Sequence, residues 1–182
     1  MKLLKRVEII TVFLTILILV STSYSADKNG FSPSRFQITD KKIRGWVADE
    51  NGYKEFGPEE LFDIINGGAE IYVNQGLQKG IYQRLIKGNK YQCEIFVEDY
   101  GSSKNAKNVF VTTTETASDP PKLNAGNSDR IKIKEFIGGI LIYLHRKNYY
   151  FEISVSGFDT FENAITNVEP FIVFFENILS EK

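Results

Sequence analysis

The run Lys79-Gly80-Ile81-Tyr82-Gln83-Arg84-Leu85-Ile86-Lys87-Gly88-Asn89-Lys90-Tyr91-Gln92-Cys93-Glu94-Ile95-Phe96-Val97-Glu98-Asp99 decides the fold. Two segments rich in β-branched and aromatic residues, 79–87 and 90–99, flank Gly88-Asn89, a two-residue turn of the hairpin kind. In the second segment Tyr91, Cys93, Ile95 and Val97 alternate with Gln92, Glu94 and Glu98. That period of two predicts an antiparallel sheet, wet on the side that carries the acids. Cys93 reads as a small buried strand residue, and as the sole cysteine it forms no disulfide within the chain.

Upstream, Gly45-Trp46-Val47-Ala48-Asp49-Glu50 is a first strand, closed by a turn at Asn51-Gly52. Pro58-Glu59-Glu60 then opens a helix, because proline's missing donor costs nothing there and acids suit the positive end of the dipole. Leu61, Ile64, Ile65, Gly68, Ala69, Tyr72 and Val73 keep helical spacing until Gly76, which predicts one amphipathic helix over about 58–75. Downstream, Ser102 or Ser103 caps a helix over about 104–112, and a long irregular loop follows at 115–129. Segments 130–136, 139–146 and 149–157 return to strand chemistry around Lys147-Asn148, with Tyr149 or Tyr150 expected on the outer side. The last helix, about 160–181, should kink or split at Pro170. The predicted class is α+β, one domain: an antiparallel sheet of two hairpins plus an N-terminal strand, packed by those three helices.

The first 25 residues read differently. Lys2, Lys5 and Arg6 precede an apolar run from Ile9 to Val20, and Ser23 and Ser25 stand at the positions a signal peptidase favours. Twelve helical residues span about 18 Å, short of the roughly 30 Å hydrocarbon core, so residues 1–25 read as a signal peptide rather than an anchor. Residues 26–43 read as a lead-in and 44–182 as the domain, in a periplasmic or extracellular setting. Without Lys2, Lys5, Arg6 and Glu8, the 22 basic and 23 acidic side chains become 19 and 22, a net charge of about −3. Such a chain lacks the basic stripe that nucleic-acid binding needs, and contact with a membrane is expected only through an uncleaved signal segment.

The run Glu60-Leu61-Phe62-Asp63-Ile64-Ile65-Asn66-Gly67-Gly68-Ala69-Glu70-Ile71-Tyr72-Val73-Asn74-Gln75-Gly76-Leu77 resembles the signature of a bacterial exported-protein family catalogued as domain of unknown function 6599. Ser103 to Phe110, with its Asn105-Ala106 step, and the hairpin Gly139 to Ser156 are similar to further segments of that family. The resemblance implies a compact exported α+β domain and carries no activity with it.

Asn66-Gly67-Gly68 in mid-helix costs about 2 kcal/mol in propensity, so something should offset it. Either the glycines let the helix lie close on the sheet, or a gap in the helix presents Asn66, Glu70 and Tyr72 to a ligand. With one histidine, His145, and one cysteine, no metal centre or cofactor is expected, and His145 reads as structural. No nucleophile elbow, phosphate loop or dinucleotide fingerprint occurs in context. The sequence therefore points to a non-catalytic binding or interaction domain of the cell envelope or periplasm. Its partner would be a protein, an envelope component or a small molecule. The alternative is a carboxylate-dependent hydrolase with a site near Asn66 and Glu70.

Overall fold

A computed structural model describes residues 31–121, 123 and 131–180. The expected signal peptide, residues 1–25, lies outside the described residues, as do residues 122 and 124–129 of the expected loop. Within the compact unit Ser32–Lys182 the elements are α1 (Pro33–Phe36), β1 (Val47–Phe56), α2 (Leu61–Ile64), α3 (Ala69–Asn74), β2 (Lys79–Lys87), β3 (Tyr91–Asp99), α4 (Ser103–Thr113), β4 (Ile131–Phe136), β5 (Gly139–Arg146), β6 (Tyr149–Ser156) and α5 (Phe161–Ser180).

The six strands form one antiparallel sheet in the order β1-β2-β3-β6-β5-β4, so the α+β single-domain expectation holds. Alternation sends Ile81, Leu85, Cys93, Ile95, Val97, Ile142, Phe151, Ile153 and Val155 to one face. There α5 covers them with Phe171, Ile172 and Phe175, and the Phe151 and Phe175 ring centroids lie 5.1 Å apart. The segment read as a lead-in adds Phe36, Ile38 and Ile43 to the buried core, next to Trp46 at the start of the domain as read. Gln83 fixes it to the sheet by accepting from the Ile38 N–H at 2.9 Å and donating to the Ile38 carbonyl at 2.6 Å. The second face lies under α2, α3 and α4, where Phe56, Leu61, Ala69, Tyr100, Ala106, Val109 and Tyr150 form a further cluster.

Four local expectations need correction. The helix read over 58–75 is two short helices, α2 and α3, separated at Asn66-Gly67-Gly68. Gly67 and Gly68 have φ of 74° and 77°, the left-handed region that favours glycine, and a Cβ on either would meet nothing within 4 Å. Close packing is therefore not their reason; a backbone reversal is. Asn51-Gly52 does not end the first strand, since β1 continues to Phe56 through a register shift between Ala48 and Tyr53. A Cβ on Gly52 would lie 2.8 Å from that of Asp49 and 2.9 Å from that of Arg84, so only glycine lets the bulge close against β2. Pro170 does not split α5, whose buried stripe runs from Ala164 past it to Leu179. Finally, neither Tyr149 nor Tyr150 is exposed, and Glu98 is buried too, because helices cover both faces of the sheet.

Two stability effects follow. Gly68→Ala should destabilise the domain by about 1 kcal/mol through the left-handed φ alone, read as a lowered midpoint in urea unfolding. Pro170 is exposed within α5, so Pro170→Ala should restore a helix hydrogen bond without disturbing packing and raise the same midpoint by an amount of order 1–3 kcal/mol.

Candidate functional site

The helices on the second face leave part of the sheet open. Its ladder reads Arg84, Glu94, Ser154, Leu141 and Lys134 across β2, β3, β6, β5 and β4. Arg84, Glu94, Ser154 and Leu141 are half-buried and Lys134 is exposed, so this rung borders solvent. At the β1–β2–β3 end the floor sinks into a cleft of about 330 Å³. Lys54 and Asn51 of the bulged strand form one wall, Asp63, Ile64 and Ile65 after Leu61 form the other, and Tyr82, Arg84, Glu94 and Phe96 form the floor.

The polar groups of this cleft are held in place. Arg84 donates from Nε to Asp49 Oδ2 at 2.7 Å and pairs with the same oxygen through its second guanidinium nitrogen at 2.6 Å. The hydrogen bond from Arg84, supported by the Asn51 N–H, holds the Asp49 carboxyl below its usual range. Tyr82 donates its hydroxyl to Glu94 Oε1 at 2.8 Å, and Gln92 donates to the same oxygen at 3.0 Å. Partial burial, with the Glu94 carboxylate as acceptor, pushes the Tyr82 phenol up to about 12. The Tyr82 and Phe96 rings lie 5.0 Å apart and give the cleft an apolar floor beside these charges.

Deeper on the same face lies a buried acid cluster. Glu152 Oε1 accepts from the Tyr72 hydroxyl of α3 and from the Tyr150 hydroxyl, each at 2.7 Å. The Tyr150 hydroxyl is also 2.7 Å from Thr113 Oγ1 of α4. Glu98, on β3, accepts from Tyr100 at 2.7 Å. Burial pushes both carboxyls above the usual range, and for Glu98 the neighbouring Glu152 adds to it.

Asn66, Glu70 and Tyr72 do not converge in this arrangement. Asn66 and Glu70 are exposed around the turn between α2 and α3, whereas the Tyr72 hydroxyl points inward to Glu152. Sequence reasoning passed over Lys54, Tyr82, Arg84, Glu94 and Phe96, and it placed Glu98 in water. Arg84 and Glu94 face each other because the hairpin connection is three residues, Gly88 to Lys90, and not the two-residue turn read at Gly88-Asn89, which would have set Arg84 opposite Cys93. His145 packs its ring against Phe110, with centroids 5.9 Å apart. Cys93 is fully buried, and burial pushes its thiol up. Among the described residues no group of three or more His, Cys, Asp and Glu is placed to hold a metal ion, and no helix is long and apolar enough to cross a membrane.

Fold and cleft together define a three-layer α+β domain with an amphipathic pocket at one end of its sheet. No family model matches the chain. No curated protein matches it. Among solved structures it is similar to the extracellular domain of PknH from Mycobacterium tuberculosis, at 10% identity and a TM-score of 0.49, over 81% of this chain and 97% of that one.

The Arg84–Asp49 pair gives a direct check on the site. Its contribution to stability is present above the ordinary Asp value of 3.8 and is lost as pH falls through the lowered native value. In Arg84→Gln the Asp49 carboxyl should titrate back near that ordinary value, as read by carbon-detected NMR of the side chain.

Proposed function

We propose that this chain is an exported, non-catalytic binding domain of the cell envelope or periplasm that holds an uncharged, hydroxyl-rich ligand, such as a short glycan, in the β1–β2–β3 cleft. Export is supported by the basic, apolar and small-residue order of residues 1–25 and by the resemblance to the exported family of domain of unknown function 6599. The observation that carries the ligand class is the mixed charge of the cleft, in which both signs stand side by side. Lys54 and Arg84 stand beside Asp63 and Glu94, and Arg84 is already engaged by Asp49. A charged ligand of either sign would meet a like charge in the cleft and would have to compete with the Arg84–Asp49 pair. A polyhydroxylated one can donate to Glu94 and Asp63, accept from Lys54 and Asn51, and lay its C–H face on Tyr82 and Phe96. Tethers from Tyr82 and Gln92 to Glu94 lower the ordering cost of binding.

The test is an NMR titration of the isotopically labelled protein with a short N-acetylglucosamine oligomer. Saturable shifts should cluster at Lys54, Tyr82, Arg84, Glu94 and Phe96, and Glu94→Ala should weaken binding about tenfold, equivalent to about 1.4 kcal/mol. Absence of saturable shifts in the cleft would overturn the glycan reading. Cleavage of the oligomer would replace it with the hydrolase alternative, whose carboxylates would then be sought at Asp63 and Glu94 or around Asn66 and Glu70.

A further inference from the structure

The acid cluster beneath α3 and α4 takes no part in the binding just described, yet it places a buried carboxyl, Glu98, beside a second acid, Glu152, at a desolvation cost. We propose that the Glu98–Glu152 pair is a proton-operated latch: with its proton it keeps α3 and α4 seated on the sheet, and on losing it the pair releases them. The latch does not depend on the glycan reading. Its effect on the cleft does, because α3 follows directly on the Asp63–Ile65 wall.

The geometry is that of a fastening. In the β3–β6 ladder Glu98 stands opposite Tyr150 and Glu152 opposite Phe96, so the two acids are diagonal neighbours on one face. Glu152 is reached from α3 by Tyr72 and, through Tyr150, from α4 by Thr113. One carboxyl thus connects two helices to the central strands. Glu98 is only 2% exposed, and its described hydrogen-bond partner is the Tyr100 hydroxyl.

The groups around the pair explain why it should hold a proton. Tyr72 faces it from α3, Tyr100 from the turn after β3, and Tyr143 and His145 share its face from β5, with His145 against Phe110 of α4. Lys132 of β4 lies across from Tyr143, but its ammonium is engaged by Asp119 at 2.7 Å. Glu94 lies further along β3 and takes its hydrogen bonds from Tyr82 and Gln92. Glu70 of α3 and Lys104 and Lys107 of α4 are exposed. Glu98 is buried and its neighbour Glu152 half-buried, and hydroxyls alone do not compensate two adjacent carboxylates there, so full ionisation requires more water to reach Glu98. Water arrives most easily by lifting α3, a six-residue helix bounded by glycines in left-handed conformation, Gly67 and Gly68 before it and Gly76 after it.

The sign is fixed by linkage. The closed state holds the proton above the ordinary Glu value of 4.5 while the opened state releases it, so closure is favoured at low pH and weakens as pH rises. The experiment is amide hydrogen exchange on the full chain without ligand, expressed as protection factors from acid to alkaline pH. Amides of 69–77 and 103–113 should lose protection by up to about tenfold per pH unit for one proton released, while those of α5 stay level. In the double variant Glu98→Gln, Glu152→Gln, neutral at every pH, the slope should vanish. A pH-independent wild-type protection of α3 and α4, or a slope retained by the double variant, would overturn the latch. If that variant does not fold, Tyr72→Phe supplies the second reading: as a latch component it should lower the protection of α3 and steepen its loss with pH, since the ionised Glu152 loses a donor. Unchanged protection there would refute the fastening.

Discussion

The pairing of β3 with β6 holds the molecule together. Eight residue pairs, from Gln92 opposite Ser156 to Asp99 opposite Tyr149, join a meander of β1, β2 and β3 to a meander of β4, β5 and β6. Each meander is followed by a helix, and the two helices take opposite faces: α4 lies over Tyr150 and His145, α5 over Phe151 and Val155. Because of that division both faces of the central strands are covered. Ile95, Val97, Phe151 and Ile153 are sealed on one side, and on the other Glu98 is buried and Glu152 half-buried.

The strands were legible because their code is local. Alternation in 79–87 and 91–99, with Gly88-Asn89 between, specifies a hairpin without reference to the rest of the chain. Both longer helices were legible for a similar reason, since Ser102 caps α4 through the Asn105 N–H and the apolar stripe of α5 keeps its period across Pro170. What escaped was whatever depends on what lies above a strand. Glu98 and Tyr150 have the same alternation whether a helix or water covers them, and no periodicity within β3 or β6 records the arrival of α3 and α4.

The candidate site was hidden in the same way. Asn66-Gly67-Gly68 drew attention because glycines are costly in a helix, and their actual role is to end one. The cleft they help to shape is lined by residues from β1, β2, β3 and the end of α2, which meet only after a bulge at Gly52 has turned Asp49 toward Arg84. A bulge shifts register by a count that sequence patterning does not carry. Even within the hairpin, a two-residue turn at Gly88-Asn89 sets Arg84 opposite Cys93, one residue away from its actual partner Glu94, and Lys54, Asp63 and Ile65 lie outside that hairpin altogether.

The central ladder also sets the order in which the chain can acquire its structure. The partner of β3 lies about fifty residues further on, so while the chain emerges from its N-terminus β3 remains an open edge that carries Cys93, Ile95 and Val97. Contacts of such sequence separation slow folding, because the intervening segment must be closed before the ladder rewards it. The first meander therefore spends its early life as an unfinished sheet, open along one side until β6 arrives to close it.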